Sequence, residues 1–135
     1  MHTTASDGRL TPAELVARAA AAGLKTISVT DHDTVAAVGD VTSAAEAFGI
    51  RVVPGIEITA VDQGRDVHML GYFFKPAHEG LAAFLVNQRS LRVARVREIA
   101  ARLAALNMVI DVESLLRTAA TRAVVPPTMT AWISL

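Results

Sequence analysis

Residues 24–34 read "LKTISVTDHDT", and the join between the two halves of this stretch decides the fold. Leu24 to Thr30 is short, β-rich and preceded by a glycine, which predicts a strand. Asp31, His32 and Asp33 then stand where the strand ends. A loop needs polar residues, but nothing about a loop requires two carboxylates around an imidazole. In α/β sheets the carboxyl ends of the strands are where ligands bind, so the question becomes what other chemistry gathers at that edge.

Working outward, "TPAELVARAAAA" from Thr11 to Ala22 predicts a helix with Thr11 at the N-cap, Pro12 at the first helical position and Glu14 three residues after the cap. That is the capping-box pattern, and Gly23 suits the left-handed turn that closes it. Thr34 to Phe48 is an alanine-rich helical stretch closed by Gly49. Ile50 to Thr59, "IRVVPGIEIT", predicts a second strand, bent or bulged at Pro54-Gly55. Asp66 to Phe74, "DVHMLGYFF", predicts a third. The alternation of strand and helix argues for parallel pairing through right-handed crossovers, hence an α/β fold. From His78 to Leu106 the pattern is one long helix or two. Leu81, Phe84, Leu85, Leu91, Val96, Ile99 and Leu103 lie near helical spacing, and Arg89, Arg92, Arg95 and Arg102 lie opposite. His78, in a loop after Pro76, is expected to face solvent. Asp111 to Ala120 predicts a short helix, and from Thr121 the pattern is lost.

The composition bounds the chemistry. The chain has 135 residues, enough for one domain with a core. Hydrophobic residues make up 52% and mean hydropathy is +0.38, which excludes a disordered chain. No apolar run reaches the length of a membrane span, and no signal segment opens the sequence. There is no cysteine, which removes disulfides and thiolate chemistry and favours a cytoplasmic location. Thirteen basic and thirteen acidic residues cancel, so no overall field draws in duplex nucleic acid.

Four places interrupt the apolar pattern with side chains that bind metals: His2 and Asp7, the Asp31–Asp33 triplet, Glu57 between two isoleucines, and His68 between Val67 and Met69. Strand parity puts Ile27 and Val29 on one face, and Ser28, Thr30 and, if the strand geometry continues, His32 on the other. Glu57 shares a face with Gly55, and His68 with Leu70 and Tyr72. An ionised glutamate within such a strand needs a partner or a cation. Imidazole with carboxylate suits zinc, manganese or iron rather than calcium. Each residue also has an ordinary reading. His2 could be an exposed terminal side chain, Asp7-Gly8 a turn, and Asp31, Asp33 or Thr34 a helix cap. Glu57 could pair with Arg51 or Arg65, and His68 could be a hydrogen-bonded, half-buried histidine. It is their succession at strand ends that favours a metal site.

"HTTASDGRLTPAELVARAAAAGLKTISVTDHDTVAA", "VVPGIEIT" and "DVHMLGYFF" together resemble the PHP (polymerase and histidinol phosphatase) family over about residues 1–115. Within it they are most similar to bacterial phosphoesterases acting on nucleoside 3',5'-bisphosphates and short 5'-phosphorylated oligonucleotides. The resemblance implies a distorted, TIM-like seven-stranded βα barrel with two or three divalent metals (Mn, Fe or Zn) at its C-terminal mouth. It implies that His2 is the second member of a His-x-His pair. It also has Asp7 and His32 share one metal, Glu57 bridge two, and His68 bind the neighbouring one. Asp7, His32 and Glu57 would be catalytic, and Arg89, Arg92 and Arg95 would hold a substrate phosphate unless they are a solvated helix face. The substrate would be a small nucleotide or short oligonucleotide. The family pattern also has a histidine and strand before His2, and later strands carrying a further histidine and an Asp-x-His pair. None of these is in the sequence. The expectation is therefore a partial PHP domain over residues 1–120, with 78–120 as an insertion-like helical segment and 121–135 as an atypical tail. Such a chain would be a truncated or frame-disrupted reading frame, or a fragment. Fewer metals, weak or no activity, and self-association through open sheet edges are expected of it. The alternative is a non-catalytic module that binds a metal or a partner.

Overall fold

The computed structural model describes residues 1–122. The elements are α1 (Pro12–Ala21), β1 (Thr26–Val29), α2 (Ala37–Glu46), β2 (Arg51–Asp62), β3 (Arg65–Tyr72), α3 (Glu79–Ala105) and α4 (Val112–Arg122). Most of the patternless stretch from Thr121 lies outside the described residues. The strands form one three-stranded sheet in the order β1-β2-β3. Among the described residues no helix is long and apolar enough to cross a membrane.

β1 and β2 pair in parallel through the α2 crossover, with Thr26 opposite Arg51 and Val29 opposite Pro54. β2 and β3 do not follow the expected parallel arrangement: they are antiparallel, from Gly55 opposite Tyr72 to Asp62 opposite Arg65. Only Gln63 and Gly64 separate these strands, at φ 49° and 80°. Two residues at positive φ make a tight hairpin turn, whereas a parallel return needs a crossover of a dozen or more residues. The sequence pattern stopped the strands at Thr59 and Asp66, so the gap looked longer than it is.

Of the bend or bulge expected at Pro54-Gly55, the bulge is absent. The offset that pairs Val29 with Pro54 also pairs His32 with Glu57 in a further parallel bridge, so the register runs through without slipping. Gly55 instead serves close approach. A Cβ there would lie 2.3 Å from Ser28 Oγ and 2.7 Å from the Val29 carbonyl oxygen.

α1 and α2 cover one face of β1. Leu15, Val16 and Ala19 of α1, Ala37, Val41 and Ala45 of α2, Ile27 and Val29 of β1, and Ile50 form the buried cluster. Each fully buried valine contributes about 1.5–3 kcal/mol relative to an exposed one. The expected α1 signals are all in place. The Thr11 side chain accepts from the Glu14 N–H, Glu14 accepts from the Thr11 N–H, and Gly23 takes φ 74°. α2 begins at Ala37 with no side-chain cap, so neither Asp31 nor Asp33 caps it.

α3 is one continuous helix, and none of its residues is buried. Its far end packs on α4, where Val96, Ile99 and Leu103 line a small apolar cleft with Ile110, Val112 and Leu115. The regularly spaced Phe84 and Leu91 are exposed, because no described element covers that side. His78 is exposed as expected, but it also caps α3 by accepting the Gly80 N–H on Nδ1.

The Thr11 backbone and hydroxyl hold the Glu14 carboxyl below its ordinary value of 4.5. A lowered carboxylate stabilises fully above that value and loses its contribution as pH falls through the lowered one. Thr11→Ala should therefore reduce the melting temperature by a few degrees at neutral pH. Thermal scans should show the gap between the two proteins narrowing as the medium is acidified and Glu14 is protonated.

Candidate metal centre

The three polar residues at the end of β1 point three ways, and each makes a different tie. Asp31 turns inward, with only 2% of its surface exposed. Its carboxylate accepts from the Thr3 N–H at 2.7 Å, the Thr3 hydroxyl at 2.7 Å and the Ser6 hydroxyl at 2.6 Å. A buried carboxylate with this many short, charge-assisted bonds is well compensated. It fixes residues 3 and 6 and so carries their neighbours His2 and Asp7 to the sheet edge. The Thr30 N–H donates to the Met1 carbonyl oxygen at 2.8 Å, holding the start of the chain along β1.

Gly8 closes this loop by donating to the Thr3 carbonyl oxygen at 2.9 Å. A Cβ at Gly8 would sit 2.4 Å from the backbone of His2, so the loop admits no side chain there.

His32 continues past the strand in the β register, as its parity implied. The Glu57 N–H donates to the Asp31 carbonyl oxygen at 3.1 Å and the Asp33 N–H to the Glu57 carbonyl oxygen at 2.8 Å. This bridge sets the His32 and Glu57 side chains beside each other. His68 arrives from β3. It pairs with Thr59 and lies diagonal to Glu57 on the same face, close enough for a long side chain to reach.

All five residues singled out in the sequence as metal-binding converge. Glu57, whose side chain is 12% exposed, is central. Its Oε2 is 3.3 Å from His2 Nε2, and its Oε1 is 3.7 Å from His32 Nδ1 and 2.6 Å from His68 Nδ1. Asp7 spans the other side, 3.3 Å from His2 Nδ1 and 3.6 Å from His32 Nε2. The His2 and His32 rings stack with centroids 4.9 Å apart, and His68 meets His32 edge-on at 4.9 Å.

The donor set fits divalent cations. His2 Nδ1 is buried with no hydrogen-bond partner, although a carboxylate oxygen lies nearby. Separations of 3.3–3.7 Å are long for hydrogen bonds. They are close to the spacing of two ligands that each bond one ion at ~2.1 Å, which is about 3.0–3.4 Å. One donor atom from each of His2, His32 and Glu57 lies within 4.8 Å of the others. The two Glu57 oxygens face different histidines.

Asp33 faces away from this group. It accepts the Thr59 N–H at 3.0 Å and pairs with Arg92 of α3. Arg92 thus reaches the rim on a carboxylate, while Arg89 and Arg95 are exposed on the same helix. Sequence reasoning missed the roles of Thr3, Ser6 and Gly8. The only sign of them was the run of small polar residues in "HTTASDG", which could equally have been a solvent loop.

The PHP domain model matches residues 1–114. The chain belongs to the PHP domain family. It is 42% identical over 98 residues to a 5'-3' exoribonuclease of Haemophilus influenzae, covering 73% of this chain and 36% of that protein. It is 36% identical over 104 residues to a 3',5'-nucleoside bisphosphate phosphatase of Chromobacterium violaceum, covering 77% and 36%. A solved structure described as an amidohydrolase from Chromobacterium violaceum, with bound sulfate, superposes with TM-score 0.71 at 34% identity, over 86% of this chain and 41% of that one. This PHP chain therefore spans about a third of the length of the curated relatives it matches.

Because Gly8 lies against the His2 backbone, Gly8→Ala should displace His2 while leaving the helical core intact. Calorimetric titration with Mn²⁺ should show affinity weakened by about tenfold or more, with an unchanged far-ultraviolet circular dichroism spectrum.

Proposed function

We propose that this chain carries the N-terminal part of a metal-dependent phosphoesterase that hydrolyses nucleotide-like phosphate esters. The observation that carries the reading is the convergence of His2, Asp7, His32, Glu57 and His68 at one sheet edge, with an unpartnered buried nitrogen among them. Divalent ions held there, manganese, iron or zinc, would activate water and neutralise phosphate charge. The residues of this chain hold and orient. Glu57 presents one oxygen to each side of the site, and Asp7 reaches both His2 and His32.

Relatives named as an exoribonuclease and a nucleoside bisphosphate phosphatase support a small phosphorylated nucleotide or short oligonucleotide as substrate. The three-stranded sheet and its helices would form one side of a TIM-like barrel. Residues 1–120 would belong to that domain and α3–α4 would be a helical insertion. The absence of cysteine favours a cytoplasmic location.

One observation favours a second reading, in which this chain is a metal-binding module that needs a partner. Among the described residues β3 is an edge strand, with Met69, Leu70 and Tyr72 exposed, and Phe73 beyond it is 80% exposed. An edge of that character is a site for pairing with another chain.

Metal analysis with an assay separates the two. The purified chain should contain manganese, iron or zinc. With added Mn²⁺ it should hydrolyse a phosphomonoester, and Glu57→Ala or His32→Ala should reduce turnover to background. Stoichiometric metal without turnover would decide for the binding module. A chain that binds no metal would overturn both readings.

A further inference from the structure

Asp33 occupies an unusual position. It follows His32 directly, its φ is 49°, and its side chain is 9% exposed. The backbone bonds around it form the start of a parallel ladder: Glu57 N–H to the Asp31 carbonyl, then Asp33 N–H to the Glu57 carbonyl. The next rung of such a ladder would be the Thr59 N–H donating to the Asp33 carbonyl. At positive φ the main chain has already turned away, and the Asp33 Oδ1 takes that N–H instead, at 3.0 Å. The carboxylate therefore extends the ladder one rung beyond the point where the strand leaves the sheet. The other oxygen, Oδ2, holds Arg92. That pair ties α3, none of whose residues is buried, to the residues that follow β1.

We propose that Asp33 is a positioning residue with two separable duties. Oδ1 fixes His32 against Glu57, and Oδ2 moors α3 at the rim of the site through Arg92. The first duty rests on the metal reading given above, and the second does not.

Three variants separate the duties. Asp33→Gly tolerates the positive φ but removes both oxygens. Asp33→Asn also tolerates it and keeps an acceptor for Thr59, but turns an amide N–H₂ toward Arg92. Arg92→Met leaves the ladder untouched. Val41→Ala, in the buried core, is the control for a general loss of stability. The probes are Co²⁺, followed by its visible absorption and by calorimetry, and hydrogen exchange of the α3 amides.

Asp33→Gly should weaken Co²⁺ binding by about tenfold to a hundredfold and alter the absorption bands, as loss of a ligand-orienting group does. Asp33→Asn, Arg92→Met and Val41→Ala should keep the affinity and spectrum of the unsubstituted chain. Exchange over the first half of α3 should accelerate in all three site variants and not in Val41→Ala. The first duty is overturned if Asp33→Gly binds Co²⁺ like the unsubstituted chain, or if Val41→Ala loses as much affinity. The second is overturned if Arg92→Met leaves α3 exchange unchanged. If the unsubstituted chain binds no Co²⁺, the metal reading and the first duty fall together, and the exchange measurement still decides the second.

Discussion

The buried carboxylate of Asp31 is the constraint on which the rest of the site depends. It has almost no contact with solvent to soften its charge, so its three short hydrogen bonds to Thr3 and Ser6 must form as the chain folds. Leaving such a group unpaired costs several kcal/mol, and that cost is what orders the polar segment ahead of α1. Without the tie, the segment that carries His2 and Asp7 would lose its buried anchor and keep only its backbone bonds, such as Thr30 to Met1. With it, they stand opposite Glu57 and His32.

β2 makes the second half of the arrangement. It is paired to β1 at its start and to β3 at its end, and Glu57 sits where the two pairings meet. Both pairings bear on the same side chain, so neither can shift by a residue without turning Glu57 to the wrong face. Gly55 lets the β1 and β2 backbones come close enough for this register to hold. The core under α1 and α2 supplies the stability, and the polar edge uses it.

Much of this was legible in the sequence. The capping box of α1, the core parity of Ile27 and Val29, and the succession of His2, Asp7, His32, Glu57 and His68 at strand ends are local or periodic signals. They survive because tertiary context reinforces them. The parallel guess for β3 failed because a two-residue turn at Gln63-Gly64 leaves little trace when the flanking strands carry Asp62 and Arg65. The supports were harder still. Thr3, Ser6 and Thr59 act through partners tens of residues away, and nothing in their own neighbourhood marks them. Asp33 looked like a helix cap because caps are the commonest use of such a residue. Its real partners, the Thr59 N–H and Arg92, could be seen only once the strands were placed.

The five converging donors all come from the segment that ends with β3, ahead of the long helix. During synthesis that segment leaves the ribosome first, and its strands pair through one tight hairpin and one short crossover. Domains of this kind fold as they emerge, at about 5–20 residues per second. The five side chains can therefore come together while α4 is still being made. The arrangement of these side chains would then be set by the strands, not by the helices that follow.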